Sequence, residues 1–308
     1  MTTFTGCGTA LVTPFRQAKA PGNAQSLDEE TLRKLVRRQI QGGINFLVPC
    51  GTTGESPTLT RAEHLRVVEI TIEEAKGKVP VLAGAGGYNT AEVVELAKEL
   101  SHMGADGILS VTPYYNKPTQ EGLVQHYKAI AEATPLPIVV YNIQGRTGVN
   151  VEPATLKRLA EIDNIIGVKE ASGNIGQMAA VLHLLPEDFT VLCGDDAITI
   201  PLIALGGRGV ISVVANEIPA EFSRLTKLAL AGDLAGARAL QRQWFALMEV
   251  NFCETNPGPV KAAMAMMGLL EPVYRLPMVP PSDASRAKIE AVLKAAGLLA
   301  AARSSHAD

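Results

Sequence analysis

The chain has 308 residues, 47% of them hydrophobic, and a formal net charge of −3. That content supports a large buried core and excludes a disordered chain, and the lack of a long basic run excludes a phosphate-backbone partner such as nucleic acid. Cys7, Cys50, Cys193 and Cys253 lack a paired spacing, Met1–Gly6 carries no secretory leader pattern, and no apolar run reaches membrane-spanning length, so the expectation is a soluble, cytoplasmic protein in a reducing compartment.

Short apolar runs alternate with longer amphipathic stretches. The predicted strands are Gly8–Pro14, Asn45–Cys50, Pro80–Ala85, Gly107–Thr112, Pro137–Asn142, Ile165–Glu170, Thr190–Gly194 and Gly209–Ala215. Most lack polar alternation, as parallel strands buried on both faces do. Helical patterns lie between them: Ser26-Leu-Asp-Glu29 and Thr60-Arg-Ala-Glu63 fit capping boxes, and Thr90 followed by Glu92 opens another helix. Eight such units predict a (β/α)8 TIM barrel over residues 1–232. A doubly wound sheet is disfavoured because no GxGxxG turn follows the first strand, which runs into Thr13-Pro-Phe15. Residues 233–308 predict a C-terminal helical appendage with helices Leu234–Phe252, Pro259–Leu270 and Ala284–Ala302, where Met264, Met266 and Met267 read as packing residues.

In such a barrel the active site lies at the C-terminal strand ends, which here are polar. Of thirteen lysines, Lys169 alone falls inside an apolar strand run. Desolvation there favours a free amine able to attack a carbonyl; a lysine paired with Asp195 or Glu170, one snorkelling outward, or one holding an anion are the alternatives that position leaves open. Gly51-Thr-Thr-Gly54 can form a backbone nest for a small carboxylate, or can be an ordinary turn. Tyr141, on the neighbouring strand, can present a phenol near Lys169 or simply pack. Arg146, on a glycine-flanked loop, can clamp a second carboxylate or sit in solvent. The five histidines fall in helices or the tail without metal-binding spacing, and Asp195 and Asp196 read as orienting groups, so no metal is expected.

Taken together, Gly51-Thr-Thr-Gly-Glu-Ser56, Val111-Thr-Pro-Tyr-Tyr-Asn116, Tyr141-Asn142 with Arg146-Thr-Gly148, Gly167-Val-Lys-Glu-Ala171, Gly194-Asp-Asp196 and Gly209-Val-Ile-Ser-Val213 resemble, in order, the dihydrodipicolinate synthase family of pyruvate aldolases. The resemblance runs from about Phe4 to Leu299, with Asn256-Pro257 and Pro259-Val-Lys261 carrying it into the appendage. It implies that Lys169 forms an imine with pyruvate, that the derived enamine attacks L-aspartate 4-semialdehyde, and that no cofactor or metal is needed. Thr52 and Thr53 would bind the pyruvate carboxylate, and Ile211 would line the pyruvate pocket with its main chain. Tyr141, Thr53 and Tyr115 would relay protons, with Tyr115 supplied by a neighbouring subunit of a homotetramer. Arg146 favours a second substrate ending in a carboxylate over the polyhydroxy substrates of N-acetylneuraminate lyase or 2-keto-3-deoxy sugar-acid aldolases. A catalytically silent barrel is the alternative from another class. Gln144 departs from the family's usual proline two residues before the arginine, which frees that loop. Arg61 and Tyr88, where a neutral group and an amide are common, imply weak feedback by lysine.

Overall fold

The structure, a computed structural model, describes residues 3–18 and 25–299. Eight parallel strands form one sheet: β1 (Gly6–Ala10), β2 (Phe46–Val48), β3 (Leu82–Gly84), β4 (Gly107–Val111), β5 (Ile138–Asn142), β6 (Ile165–Glu170), β7 (Thr190–Cys193) and β8 (Gly209–Ser212). Their order is β2-β1-β8-β7-β6-β5-β4-β3, and a parallel bridge from Leu47 to Val81 closes the ring. Between the strands run α1 (Glu29–Gln41), α2 (Arg61–Ala75), α3 (Thr90–His102), α4 (Gln120–Ala133), α5 (Pro153–Leu159), α6 (Ile175–Leu184) and α7 (Thr199–Ala204), and α8 (Pro219–Leu230) follows β8. This is the expected TIM barrel.

Strand residues alternate between two apolar layers. Phe46, Val48, Leu109, Val139, Tyr141, Leu192 and Ile211 fill the barrel interior. Leu47, Ile108, Ile138, Val140, Val191 and Val210 face the helices. Both faces are dry, which is why these strands show no polar alternation in sequence.

Several element ends differ from expectation. The first strand pairs over Gly6–Ala10 rather than Gly8–Pro14, because the chain beyond Leu11 turns into a short antiparallel pair, Phe15–Arg16 with Ser26–Leu27. Ser26 is used there, so Asp28 caps α1 instead, accepting from the Thr31 N–H. Asn89 caps α3 one residue before Thr90, whereas Thr60 and Glu63 form the expected reciprocal box.

The appendage consists of α9 (Leu234–Val250), α10 (Gly258–Met266) and α11 (Asp283–Ala295). The expected second helix stops short of Leu270 because Gly268 adopts φ +74, a left-handed terminator. The expected third helix ends at Ala295, and residues 300–302 of it lie outside the described residues. Trp244, Leu247 and Met248 of α9 join the helix-layer core. Val260 and Met264 of α10 pack with Val12 and Val213, just beyond the ends of β1 and β8. The appendage therefore reaches the face where the strands end.

Candidate active site

Strand β6 carries a bulge that decides where Lys169 points. Ile138 pairs with Ile165, but Val139 pairs with Gly167, so Ile166 is an extra residue. A one-residue insertion reverses the side-chain phase that follows. Val168 accordingly turns to the helix layer, and Lys169 turns inward directly opposite Tyr141. Both residues are 5% exposed, and Lys169 Nζ lies 4.2 Å from the Tyr141 ring centroid.

Glu170 faces the other way. Its carboxylate accepts from Asn142 Nδ2 (3.0 Å) and from the Ser172 N–H (2.8 Å), stitching the ends of β5 and β6 together behind the barrel wall. The pairing of Lys169 with Glu170 left open by sequence is thereby excluded. Gly194, at the end of β7, makes room for the lysine stem: a Cβ there would sit 3.1 Å from Lys169 Cε and 2.5 Å from Ala171 Cβ.

The Gly51–Glu55 turn follows β2. It closes on itself through the N–H groups of Gly54 and Glu55, which donate to Gly51 and Thr52 carbonyls at 3.1 Å each. Among the described residues, the N–H groups of Thr52 and Thr53 take no backbone acceptor. Such outward N–H groups are what an anion nest requires. Gly84 lets the turn lie against β3, since a Cβ there would fall 2.0 Å from the Cys50 carbonyl oxygen. Thr53 is buried, and its hydroxyl accepts from Asn256 Nδ2 at 3.1 Å.

A cleft of about 160 Å³ opens beside this turn, lined by Thr52, Tyr141, Ile143 and Arg146 among others. Arg146 rides on a single helical turn, Gln144–Thr147, ended by Gly148 at φ +69. Its guanidinium donates to the Asn256 carbonyl at 3.2 Å. Gln144 is the first residue of that turn, a position whose N–H has no helical acceptor, so a glutamine and a proline satisfy the backbone equally there. Ile211 pairs with Gly8 on β1 and shares the interior layer with Tyr141.

Tyr115 does not join the others within one chain. It is 90% exposed at φ +66, while Tyr114 packs edge-on against Tyr88 with centroids 5.2 Å apart. Of the two residues set against lysine binding, Arg61 pairs with Glu99 at 2.8 Å, and Tyr88 is exposed. Asp195 accepts from the Ala197 N–H, and Asp196 accepts from the N–H groups of Val213 and Val214 beside Ile211; burial pushes the Asp196 carboxyl up to about 6. Both are orienting groups, as read from sequence. Burial likewise pushes the Cys7 and Cys193 thiols up to about 12, which makes them inert packing groups.

Sequence reasoning placed Lys261 in the family pattern but missed that it is a second interior lysine. Lys261 on α10 is fully buried and donates to Glu55 Oε1 at 2.5 Å. The signal was a lone charge in the apolar run Pro259–Met267, which is as anomalous in a helix as Lys169 is in a strand.

Comparisons with known proteins point to one family. The model of the dihydrodipicolinate synthetase family matches residues 3–296. The 4-hydroxy-tetrahydrodipicolinate synthase of Koribacter versatilis (strain Ellin345) is 56% identical over 295 residues, 96% of either chain. The crystal structure of dihydrodipicolinate synthase from Thermotoga maritima superposes with a TM-score of 0.92 at 46% identity, covering 96% of this chain and 99% of that one. That of the chloride-inhibited enzyme from Acinetobacter baumannii, complexed with pyruvate, does so at 0.93 and 43%, covering 96% and 100%. By a match that takes in the barrel, the cleft and the appendage alike, the chain belongs to the dihydrodipicolinate synthetase family.

Proposed function

We propose that this enzyme condenses pyruvate with L-aspartate 4-semialdehyde to give 4-hydroxy-tetrahydrodipicolinate, a step toward diaminopimelate and lysine. One observation carries the assignment of chemistry: Lys169 and Tyr141 are register partners inside the barrel, with Nζ 4.2 Å from the ring, and Tyr141 lines a cleft shared with Thr52 and Arg146. A phenol, a nest residue and a guanidinium lining one small cleft, with the Lys169 amine against the phenol ring, suit a keto acid and a second carboxylate substrate.

In this reading Lys169 attacks the keto carbon of pyruvate, and loss of water leaves an iminium. A methyl proton departs to give the enamine, whose carbon bonds to the aldehyde carbon of the semialdehyde. The semialdehyde amine then adds to the imine carbon, closes the ring and expels Lys169 as the free amine. Thr52 and Thr53 bind the pyruvate carboxylate, Ile211 borders it with main chain, and Arg146 binds the carboxylate of the second substrate. Tyr141 and Thr53 pass the protons that imine formation and ring closure with release of Lys169 require. Tyr115 completes that relay from a neighbouring subunit; its exposure in the single chain supports a partner at that surface. The covalent imine on Lys169 is the activating group, and no separate cofactor or metal enters the scheme. Self-association as a homotetramer and a cytoplasmic setting complete the proposal, the latter supported by four free thiols. No helix among the described residues is long and apolar enough to cross a membrane.

A coupled assay with pyruvate and, in turn, aspartate semialdehyde, N-acetylmannosamine and glyceraldehyde tests the substrate. Turnover with the semialdehyde alone is expected; preference for either sugar-derived aldehyde contradicts the role given to Arg146. Feedback by lysine is proposed to be weak, and half-inhibition below about a millimolar at subsaturating pyruvate contradicts it.

A further inference from the structure

The Gly51–Glu55 turn is fastened from outside the barrel. Glu55 adopts φ +53, a left-handed conformation that non-glycine residues rarely keep without support. Its carboxylate is buried against Lys261 Nζ at 2.5 Å, and Lys261 in turn lies under the rings of Phe15 (4.5 Å) and Tyr274 (5.3 Å). Lys261 falls early in α10, where the positive helix end disfavours a cation, and burial pulls its ammonium pKa down. Glu55 is what offsets both. Just before α10, Asn256 donates to the Thr53 hydroxyl and accepts from Arg146. The appendage thus grips the turn at two adjacent points, Thr53 and Glu55. Neither Glu55 nor Lys261 lines the cleft itself. N–H groups that must converge on one small anion tolerate little displacement.

We propose that Lys261, acting through Glu55, is a positioning residue that sets the Gly51–Glu55 turn for the pyruvate carboxylate, with Asn256 supporting the same turn at Thr53. The proposal rests on the reading that this turn binds that carboxylate. An ion pair serving the fold alone lowers the fraction of folded enzyme and leaves the pyruvate dependence of the folded fraction unchanged. A positioning pair changes that dependence.

Borohydride trapping over a pyruvate titration separates the two in the Lys261→Met/Glu55→Gln double variant, which leaves no unpaired buried charge. The expected result is one adduct on Lys169 at saturation, half-saturating pyruvate raised about tenfold or more, and turnover at saturation within about threefold of the unaltered enzyme. Half-saturation within about twofold of the unaltered enzyme, in a variant that melts cooperatively, overturns the proposal. Should the double variant not fold, Glu55→Asp decides: it keeps the charge pair but shortens the arm by one methylene. Raised half-saturation with an unchanged thermal midpoint supports positioning, and a lowered midpoint with unchanged half-saturation overturns it. If the unaltered enzyme gives no adduct on Lys169, the underlying reading fails instead.

Discussion

Lys169 on β6 and Lys261 on α10 are both interior lysines, 5% and 0% exposed, yet their surroundings differ in kind. Lys261 meets a carboxylate at 2.5 Å, and the aromatic rings around it close the site to solvent. Lys169 faces a phenol ring at 4.2 Å, beside a cleft, with the adjacent Glu170 turned to the opposite side of the strand. A buried lysine beside its counter-ion is committed to that partner, and removing either one strands a charge. A buried lysine without a carboxylate at its nitrogen is available for a carbonyl. Burial alone therefore does not identify a catalytic lysine; what meets the nitrogen does.

The contrast can be broken most easily at Lys169. Lys169→Ala is expected to cut turnover on the order of a thousandfold or more while the protein melts near its original temperature, because no ion pair is lost. Comparable loss of stability and of activity would erase the distinction between the two lysines. Lys261→Ala is expected to do the reverse, destabilising the fold by about 3–5 kcal/mol as Glu55 is left buried and uncompensated. Urea denaturation measures it, and a shift below about 1 kcal/mol contradicts the burial argument.

Arg146 sharpens the comparison at the second substrate. Arg146→Ala is expected to lower use of aspartate semialdehyde by about tenfold or more, the equivalent of a charge-assisted hydrogen bond worth roughly 1.5–3 kcal/mol, with pyruvate trapping preserved. Equal loss of both assigns Arg146 to holding Asn256 rather than to substrate.

A buried carboxyl gives an effect whose sign is definite. Burial pushes the Glu217 carboxyl up to about 8, with Asn251 donating to it and Asp196 repelling it. A carboxyl raised in the folded state contributes stability below its unfolded value that is lost as pH rises through the folded one. Glu217→Gln stays neutral throughout, so its stability relative to the unaltered enzyme should rise steadily between about pH 4.5 and 8, by several kcal/mol at about 1.4 kcal/mol per pH unit. A flat difference across that window contradicts a carboxyl that ionises within it.

Much of this was readable in the sequence. Strand β6 occupies the residues expected, Ile165–Glu170, because its apolar run Ile165–Val168 marks a strand buried between two layers. The choice of Lys169 followed from the same reasoning. Its direction did not, since the bulge at Ile166 is defined by the partner strand and leaves no local mark. The contacts of Asn256 and Lys261 were hidden for another reason: they reach Thr53 and Glu55 across 203 and 206 residues, beyond any periodicity or capping pattern. Asp28 displaced Ser26 as a cap because the short antiparallel pair claimed the serine, a tertiary demand that outranked local propensity.

The central claim, that of two interior lysines only the one facing Tyr141 does chemistry, is tested most directly by mapping the borohydride-fixed pyruvate adduct by peptide mass spectrometry. The account predicts one adduct per chain, on Lys169, with Lys261 unmodified even at saturating pyruvate. An adduct on Lys261, or one on both lysines in comparable yield, contradicts it.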